Sequence, residues 1–500
     1  MGNVTKSQPN NIRTPDGNSL AVFVDGVSGM IMIKDIMGNI QPLSDYVSGG
    51  GSSPFEYNAN TTGIEPILGT NNASGLFSTI GGGVENTASG LGSIVGGGLC
   101  NTASSNGGST IGGGCKNTAS GNFSTVGGGY SNTASDGGST IGGGGNNTSS
   151  SCYSTVGGGV NNIASGDCST VGGGNSNTAY GERSTIGGGA INTASYYNST
   201  IGGGQYNIAS CSYSTVGGGG HNIASGDCST VGGGHSNTAS GISSTVGGGY
   251  CNNTSGDCSF VGGGYCNTAS AQFSKIGGGC CNVTNSRFSF IGGGQRNIIQ
   301  SPTNECCSLG VTIGGGIGHN TTGGTFNPTT GDLTGAITCC DAGRLSTIGG
   351  GFRNKATGGF STIGGGCFNN VVGSFSTVGG GRANTAYGLR STVGGGYCNT
   401  AFGDCSFVGG GAINTASNCY STVGGGRCNT ASGNYSAILG GQTNNTNTCA
   451  CAMIVGSNIT ADRVCATFVN NLSIKSIPTS SAGLPSGSVW NNSGVLNIVT

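Results

Sequence analysis

Charge is scarce in this sequence. Asp, Glu, Lys and Arg make up 7 % of 500 residues and nearly cancel, leaving a formal net charge of −1. Neutralising phosphates takes clustered Lys and Arg, so no nucleic-acid partner is expected. Long hydrophobic runs are missing too: none approaches the roughly 18 residues of a membrane span, so no membrane insertion is expected. The opening MGNVTKSQPNN has no apolar segment of the secretory-leader kind, and Lys6 breaks the myristoylation pattern. A protein of this kind would reach the outside of a cell by lysis, by particle assembly or by a non-classical route. Proline totals 9 and glycines come in triplets, which excludes the collagen repeat. Low net charge argues against charge-driven disorder. Histidine is rare, at His221, His235 and His319, and no Ser-His-Asp set, HExxH or Walker sequence is present. No glycine triplet is followed by Lys-Ser/Thr at a helix start. No enzyme activity, cofactor or metal is expected.

What is abundant is glycine, 110 residues of it, arranged in one repeating phrase. STIGGGVENTASGLG (78–92) recurs with the Ile or Val before the triplet at Ile80, Val95, Ile111, Val126 and onward to Ile291, then from Ile348 to Ile438. The step is 15 residues, with a single step of 16 between Val95 and Ile111. Fading copies at 67–75, Ile313 and 453–458 bring the count to about 25 coils, the signature of a solenoid.

Position one is set at Ser78 and position fifteen at Gly92. Copies within the chain then reveal the faces. Position two accepts Lys275, Phe260, Phe290 and Phe407, position ten Lys355, and position twelve Tyr180, Tyr387 and Phe402, so these point outward. Positions one, three, nine and eleven stay Ser, Ile/Val, Asn and mostly Ala, so they point inward. Alternation of period two predicts two short strands per coil. The glycine triplet and the thirteenth-position glycine, Gly90 in the first copy, are expected to turn the corners with φ > 0 or close backbone approach. Stacking aligns Asn86, Asn101, Asn117, Asn132, Asn147, Asn162, Asn177, Asn192, Asn207, Asn222 and Asn237 in a column, read as a buried structural ladder rather than a ligand site. The fold expected is all-β: a parallel β-solenoid (β-roll), on the order of 120 Å long at about 4.8 Å per coil.

NTASGNFSTVGGGYSNTASDGGSTIGGG (117–144) resembles the head repeats of YadA-type trimeric adhesins, a left-handed parallel β-roll, and the likeness covers residues 67 to 458. The resemblance implies a homotrimer that works in attachment. Unlike in that family, no signal peptide, heptad stalk or C-terminal anchor barrel is expected from this sequence. Residues 1–50, with NSLAVFVDGVSGMIMIKDIMGNIQPLSDYV (18–47), read as a β-meander turning at Asp25-Gly26, Ser28-Gly29 and Gly38-Asn39. Residues 51–66 read as a linker, 67–300 and 346–458 as solenoid, 301–345 as an insertion holding one degenerate coil, and 459–500 as a β-module. In that module GLPSGSVW…LNIV resembles the terminal modules of phage and large-virus fibre proteins. The expected function is therefore a fibre or attachment protein on a virion surface, or otherwise extracellular, with copies of itself and a cell-surface receptor as partners. A bacterial surface adhesin or self-assembling filament is the alternative. Ice binding is a remote third, since a single threonine per strand gives no T-x-T pair.

Twenty-three cysteines complete the inventory. The close pairs Cys280-Cys281, Cys306-Cys307, Cys339-Cys340 and Cys449/Cys451 lack companions at zinc spacing. Most others fall at positions eight and fifteen, slots also held by Tyr206, Phe123, Tyr153 and Phe273, and are read as buried-leaning apolar residues. Cys251, Cys266 and Cys281 fall on consecutive coils, as candidates for stacking or for disulfides. Tyr180, Phe260, Phe290, Tyr387, Phe402 and Phe407 are candidates for lateral contact between copies. The acids Asp167, Asp227, Asp257 and Asp404 recur in a GDCS corner, read as a turn preference. The insertion, with Pro302 and a loop too long for a corner, is expected to protrude and to carry any receptor contact.

Overall fold

A computed structural model describes residues 70–300, 309–327, 329–330, 332–339, 342–473 and 476–499, with the strands Lys6–Ser7, Ala21–Asp25, Ile31–Lys34, Ile40–Pro42, Phe55–Tyr57 and Ile64–Pro66. All regular structure among them is β; no helix is present. The chain divides into two compact units, residues 1–210 and 211–500. Each is a parallel β-solenoid, with about 25 turns between them.

Each coil spends two residues on each of two strands. In the first unit Thr79–Ile80 pairs in parallel with Ile94–Val95, and Thr87–Ala88 with Thr102–Ala103, so identical positions lie side by side. The alternation read from the repeat is the packing: Ser78, Ile80, Asn86 and Ala88 are buried, while Thr79 is exposed and Thr87 half-exposed. One Ile or Val and one Ala per coil make a core one side chain thick. Each buried Ile is worth roughly 1.5–3 kcal/mol, and most of the remaining cohesion is hydrogen bonding between coils. Thr79, Gly81, Val84, Thr87 and Ser89 donate their amides to carbonyls of the following coil at 2.8–3.0 Å.

The corners use both devices read from the repeat and add a third. Of the triplet, the third glycine is left-handed (Gly83, φ 89°), and Gly90 at position thirteen is not. Gly90 is required for a different reason: a Cβ there would overlap the Ser105 carbonyl of the next coil. The other left-handed residues are at positions eight and fifteen and are mostly not glycine, for example Glu85 (φ 57°), Cys100 (φ 56°) and Phe77 (φ 59°). Left-handed geometry turns the peptide round. Cys100 donates to Val84 and Gly92 to Leu76, each in the coil before its own. The 16-residue step is absorbed in a corner, where Gly108 (φ 72°) takes the left-handed place. Ile94–Val95 and Thr110–Ile111 still pair in register.

In the second unit one sheet runs straight through the interruption. Thr312–Ile313 pairs with Phe290–Ile291 on one side and Thr347–Ile348 on the other. The other sheet restarts as six parallel strands from Lys355–Ala356 to Thr430–Ala431. The inserted chain leaves as an antiparallel hairpin, Thr321–Asn327 with Asp332–Cys339. Pro302, Cys306, Cys307 and Cys340 lie outside the described residues.

The segment read as a linker holds paired strands, Phe55–Tyr57 and Ile64–Pro66, and the second of these lies parallel to the first coil at Ile64 and Thr79. Ala21–Asp25, Ile31–Lys34 and Ile40–Pro42 form an antiparallel meander, with Lys6–Ser7 added in parallel to Val24 and Asp25. Gly26, Ser28, Gly29, Gly38 and Asn39 of its expected turns lie outside the described residues, with only Asp25 included. At the far end Met453–Val455 pairs in parallel with Thr467–Val469, carrying the first sheet past residue 458. Val489–Asn492 and Val495–Ile498 make a final antiparallel pair.

Candidate functional site

The asparagine column is the most elaborate polar arrangement in both units. Asn86, Asn101, Asn117, Asn132, Asn147, Asn162, Asn177, Asn192, Asn207, Asn222 and Asn237 are all fully buried. Asn101 shows the pattern. Its backbone N–H and its Nδ2 both donate to Asn86 Oδ1 at 3.0 Å, and Nδ2 also donates to the Gly97 and Gly114 carbonyls at 3.0 and 2.9 Å. Each amide thus ties its own triplet to the next one and caps an amide of the coil beside it. Every polar group of the side chain is engaged, leaving none for a ligand.

One coil breaks the column. The degenerate copy VTIGGGIGHN has its Asn one place late, and His319 stands in the ladder instead. The His319 amide donates to Asn297 Oδ1 at 3.0 Å, and His319 Nδ1 accepts from the Asn354 amide at 3.1 Å. Asn320 serves elsewhere, its Oδ1 accepting from the Ala356 amide at 2.9 Å where the sheet has lost a strand. An Nδ1 that accepts fixes the neutral tautomer with the proton on Nε2. That nitrogen is buried and completes no well-formed hydrogen bond.

Burial pushes the His319 imidazole down to about 4 from 6.5. Above pH 6.5 both folded and unfolded chains are neutral here and nothing is lost. Between 6.5 and 4 only the unfolded chain takes up the proton, so stability falls with pH by about 3 kcal/mol over that window and levels off below it. Denaturant melts of the wild type from pH 7 to 4 should show this slope. His319→Asn, which restores the ladder residue, should flatten it; an unchanged slope would assign it to other groups.

The hairpin lies against the coils instead of projecting free. Gln295 clamps it with both ends of its amide, Nε2 donating to Asp332 Oδ1 at 3.1 Å and Oε1 accepting from the Leu333 amide at 3.2 Å. Arg296 donates to the Gly335 carbonyl at 2.7 Å and Arg353 to the Gly324 carbonyl at 2.9 Å. Leu333 is buried beneath it. Three side chains at positions seven and eight therefore fix this strand pair to the corner.

Cysteines do not behave as buried apolar residues. Those at positions eight and fifteen are half-exposed or exposed, and so are the aromatics in the same slots, with Phe123 at 74 % and Tyr153 at 71 %. The reason is the left-handed corner, which aims these side chains outward. Cys251, Cys266 and Cys281 form a column of free thiols on adjoining coils. Burial, then neighbouring Cys251, raises Cys266, and burial with the adjacent Cys280 thiol, 3.4 Å away between sulfurs, raises Cys281 to about 11. Cys306, Cys307, Cys340 and the side chain of Cys339 lie outside the described residues. Thiols held protonated are poor nucleophiles.

Of the lateral-contact candidates, Phe260, Phe290 and Phe407 lie over the first glycines of their own triplets, Gly262, Gly292 and Gly409, and are about three-fifths covered. Tyr387 and Phe402 stack on each other at 4.9 Å, and Tyr180 is exposed. The most exposed rings lie at position fifteen, a slot expected to lean inward. The recurrent acids also hold the corners together: Asp257 and Asp404 accept from the amides of Ile242 and Leu389, the equivalent corner position one coil back, at 3.0 and 2.8 Å. Among the described residues no three His, Cys, Asp or Glu side chains are grouped to hold a metal ion, and no helix is long and apolar enough to cross a membrane. No protein-family model and no curated protein matches this chain.

Proposed function

We propose that this chain is a structural fibre protein of a virion, an attachment rod that associates with copies of itself and meets a receptor on a cell surface. The observation that carries the reading is the asparagine column. It commits the buried polar groups, coil after coil, to adding length, a design suited to holding things apart. A strand pair clamped by Gln295, Arg296 and Arg353 supplies a rigid feature on the side of the coils, the kind of place where binding resides on a fixed scaffold. The terminal GLPSGSVW…LNIV, with its likeness to fibre modules, favours a virion over a cell envelope. Immunogold electron microscopy of the native source tests this. Label on fibres projecting from capsids or tails is expected; label on bacterial envelopes would overturn the virion assignment in favour of an adhesin.

A further inference from the structure

Besides Tyr213, six aromatic residues of the second unit sit in one corner slot, position fifteen: Phe273, Phe288, Phe360, Phe375, Tyr420 and Tyr435. Each is left-handed, with φ between 56° and 59°. A ring in that conformation costs roughly 1 kcal/mol or more relative to glycine, and other coils use Gly92 or Asn198 in the same slot without that cost or with less of it. Burial within the chain does not offset it, because the six are 39–62 % exposed. They nevertheless form an ordered surface. Phe273 stacks on Phe288 at 5.0 Å, Phe360 on Phe375 at 4.8 Å and Tyr420 on Tyr435 at 5.0 Å, with planes within 8° of parallel.

We infer that this aromatic ridge is the seam along which one copy of the chain packs against another. The inference rests on the proposal above that copies associate, and it specifies where. Three observations select another copy as the occupant. The rings recur at the spacing of the coils, and a partner that matches that period along the ridge is a second solenoid of the same kind. Their charged neighbours in the same corner are balanced, Asp227, Asp257 and Asp404 against Arg287, Arg344 and Arg390, which suits self-association and not a phosphate-rich surface. With rings of roughly 200 Å² about half exposed, the ridge offers on the order of 600 Å². Matched by the partner, that gives roughly 1,200 Å², the lower bound of specific interfaces.

The test uses the full chain. Phe273→Asn, Phe288→Asn, Phe360→Asn and Phe375→Asn are combined, because Asn tolerates the left-handed corner and already occupies it at Asn198. Phe260→Thr with Phe407→Thr removes rings from the strand face and serves as the control. Sedimentation velocity over a concentration series reads assembly, and far-ultraviolet circular dichroism confirms that the coils persist. The wild type should assemble at micromolar concentration. The ridge variant should need at least about a hundredfold more protein to do so, and the control should match the wild type. A ridge variant that assembles like the wild type, or a control that loses assembly instead, would overturn the seam and leave self-association standing. A wild type that stays monomeric would overturn self-association and the seam with it. Tyr420→Asn with Tyr435→Asn gives a second, independent set should the first variant fail to fold.

Discussion

Gly189→Ala should destabilise the first unit by more than about 4 kcal/mol, while Gly188→Ala, one residue away, should change stability by less than about 0.5 kcal/mol. Gly189 is left-handed at φ 91°, and a Cβ there would overlap the carbonyl oxygen of Gly204 and come within 2.8 Å of its amide and 2.9 Å of Asn192 Nδ2. Two of these contacts are with backbone of the next coil, which cannot move without losing its own hydrogen bonds. Strain, overlap and a disturbed ladder rung therefore add. A Cβ on Gly188 meets nothing within 4 Å, and its φ lies outside the left-handed range. Nothing within one chain explains why the middle glycine recurs in nearly every copy. Paired thermal melts of the two variants check the contrast; equal losses would mean that the triplet is needed for its flexibility and not for its third position.

Asn177→Asp should cost at least about 4 kcal/mol at neutral pH. The Asn177 Nδ2 donates to Asn162 Oδ1 at 3.1 Å and to the Gly173 and Gly189 carbonyls at 2.9 Å. A carboxylate in its place would face three acceptors with no proton to offer, in a site with no exposure to water. Its acid form keeps one donor, so the folded-state pKa of the new carboxyl must lie above its unfolded value. The loss should then be smaller at pH 4 than at pH 7, opposite in direction to the His319 slope. Urea melts at both pH values read this. Equal stability of variant and wild type at pH 7 would remove the ladder from the account of stability.

The coil was legible because repetition substitutes for an alignment. Twenty-odd copies of one phrase, each substituted at a few places, expose outward positions through the large residues they accept. Phe260 and Lys275 mark position two in this way, and the invariant Asn marks the ladder. What could not be read was backbone conformation at positions whose side chains vary freely. Phe123, Tyr153 and Cys168 share a slot, and an apolar reading places them inside; only the left-handed corner explains why they lie outside. Gly90 was legible as a glycine required for φ > 0 or for close approach, and only the stacked Ser105 carbonyl selects close approach. His319 illustrates a further limit. Counting along the phrase gives the ladder to Asn320 because its residue type is right, whereas the column is set by register, and register puts the imidazole in line. The hairpin follows the same logic. Its extrusion is expected from an unbroken coil stack, but its clamp needed Gln295 and Arg353, far apart in sequence, to be seen on corners only two coil steps apart.

The stacking rule itself can be measured directly. Phe290 and Phe407 are separated by 117 residues but by six coil steps, passing through Ile313 and Ile348 with the hairpin set aside. Phe260 and Phe407 are eight steps apart. Nitroxides coupled to p-acetylphenylalanine at these sites spare the native thiols, and dilution with unlabelled protein suppresses distances between copies. Pulsed dipolar spectroscopy should then give separations of about 29 Å and about 38 Å, a difference of two strand spacings. A Phe290–Phe407 distance of about 38 Å would mean that the inserted residues form coils of their own, and separations that do not grow by about 4.8 Å per step would contradict the solenoid.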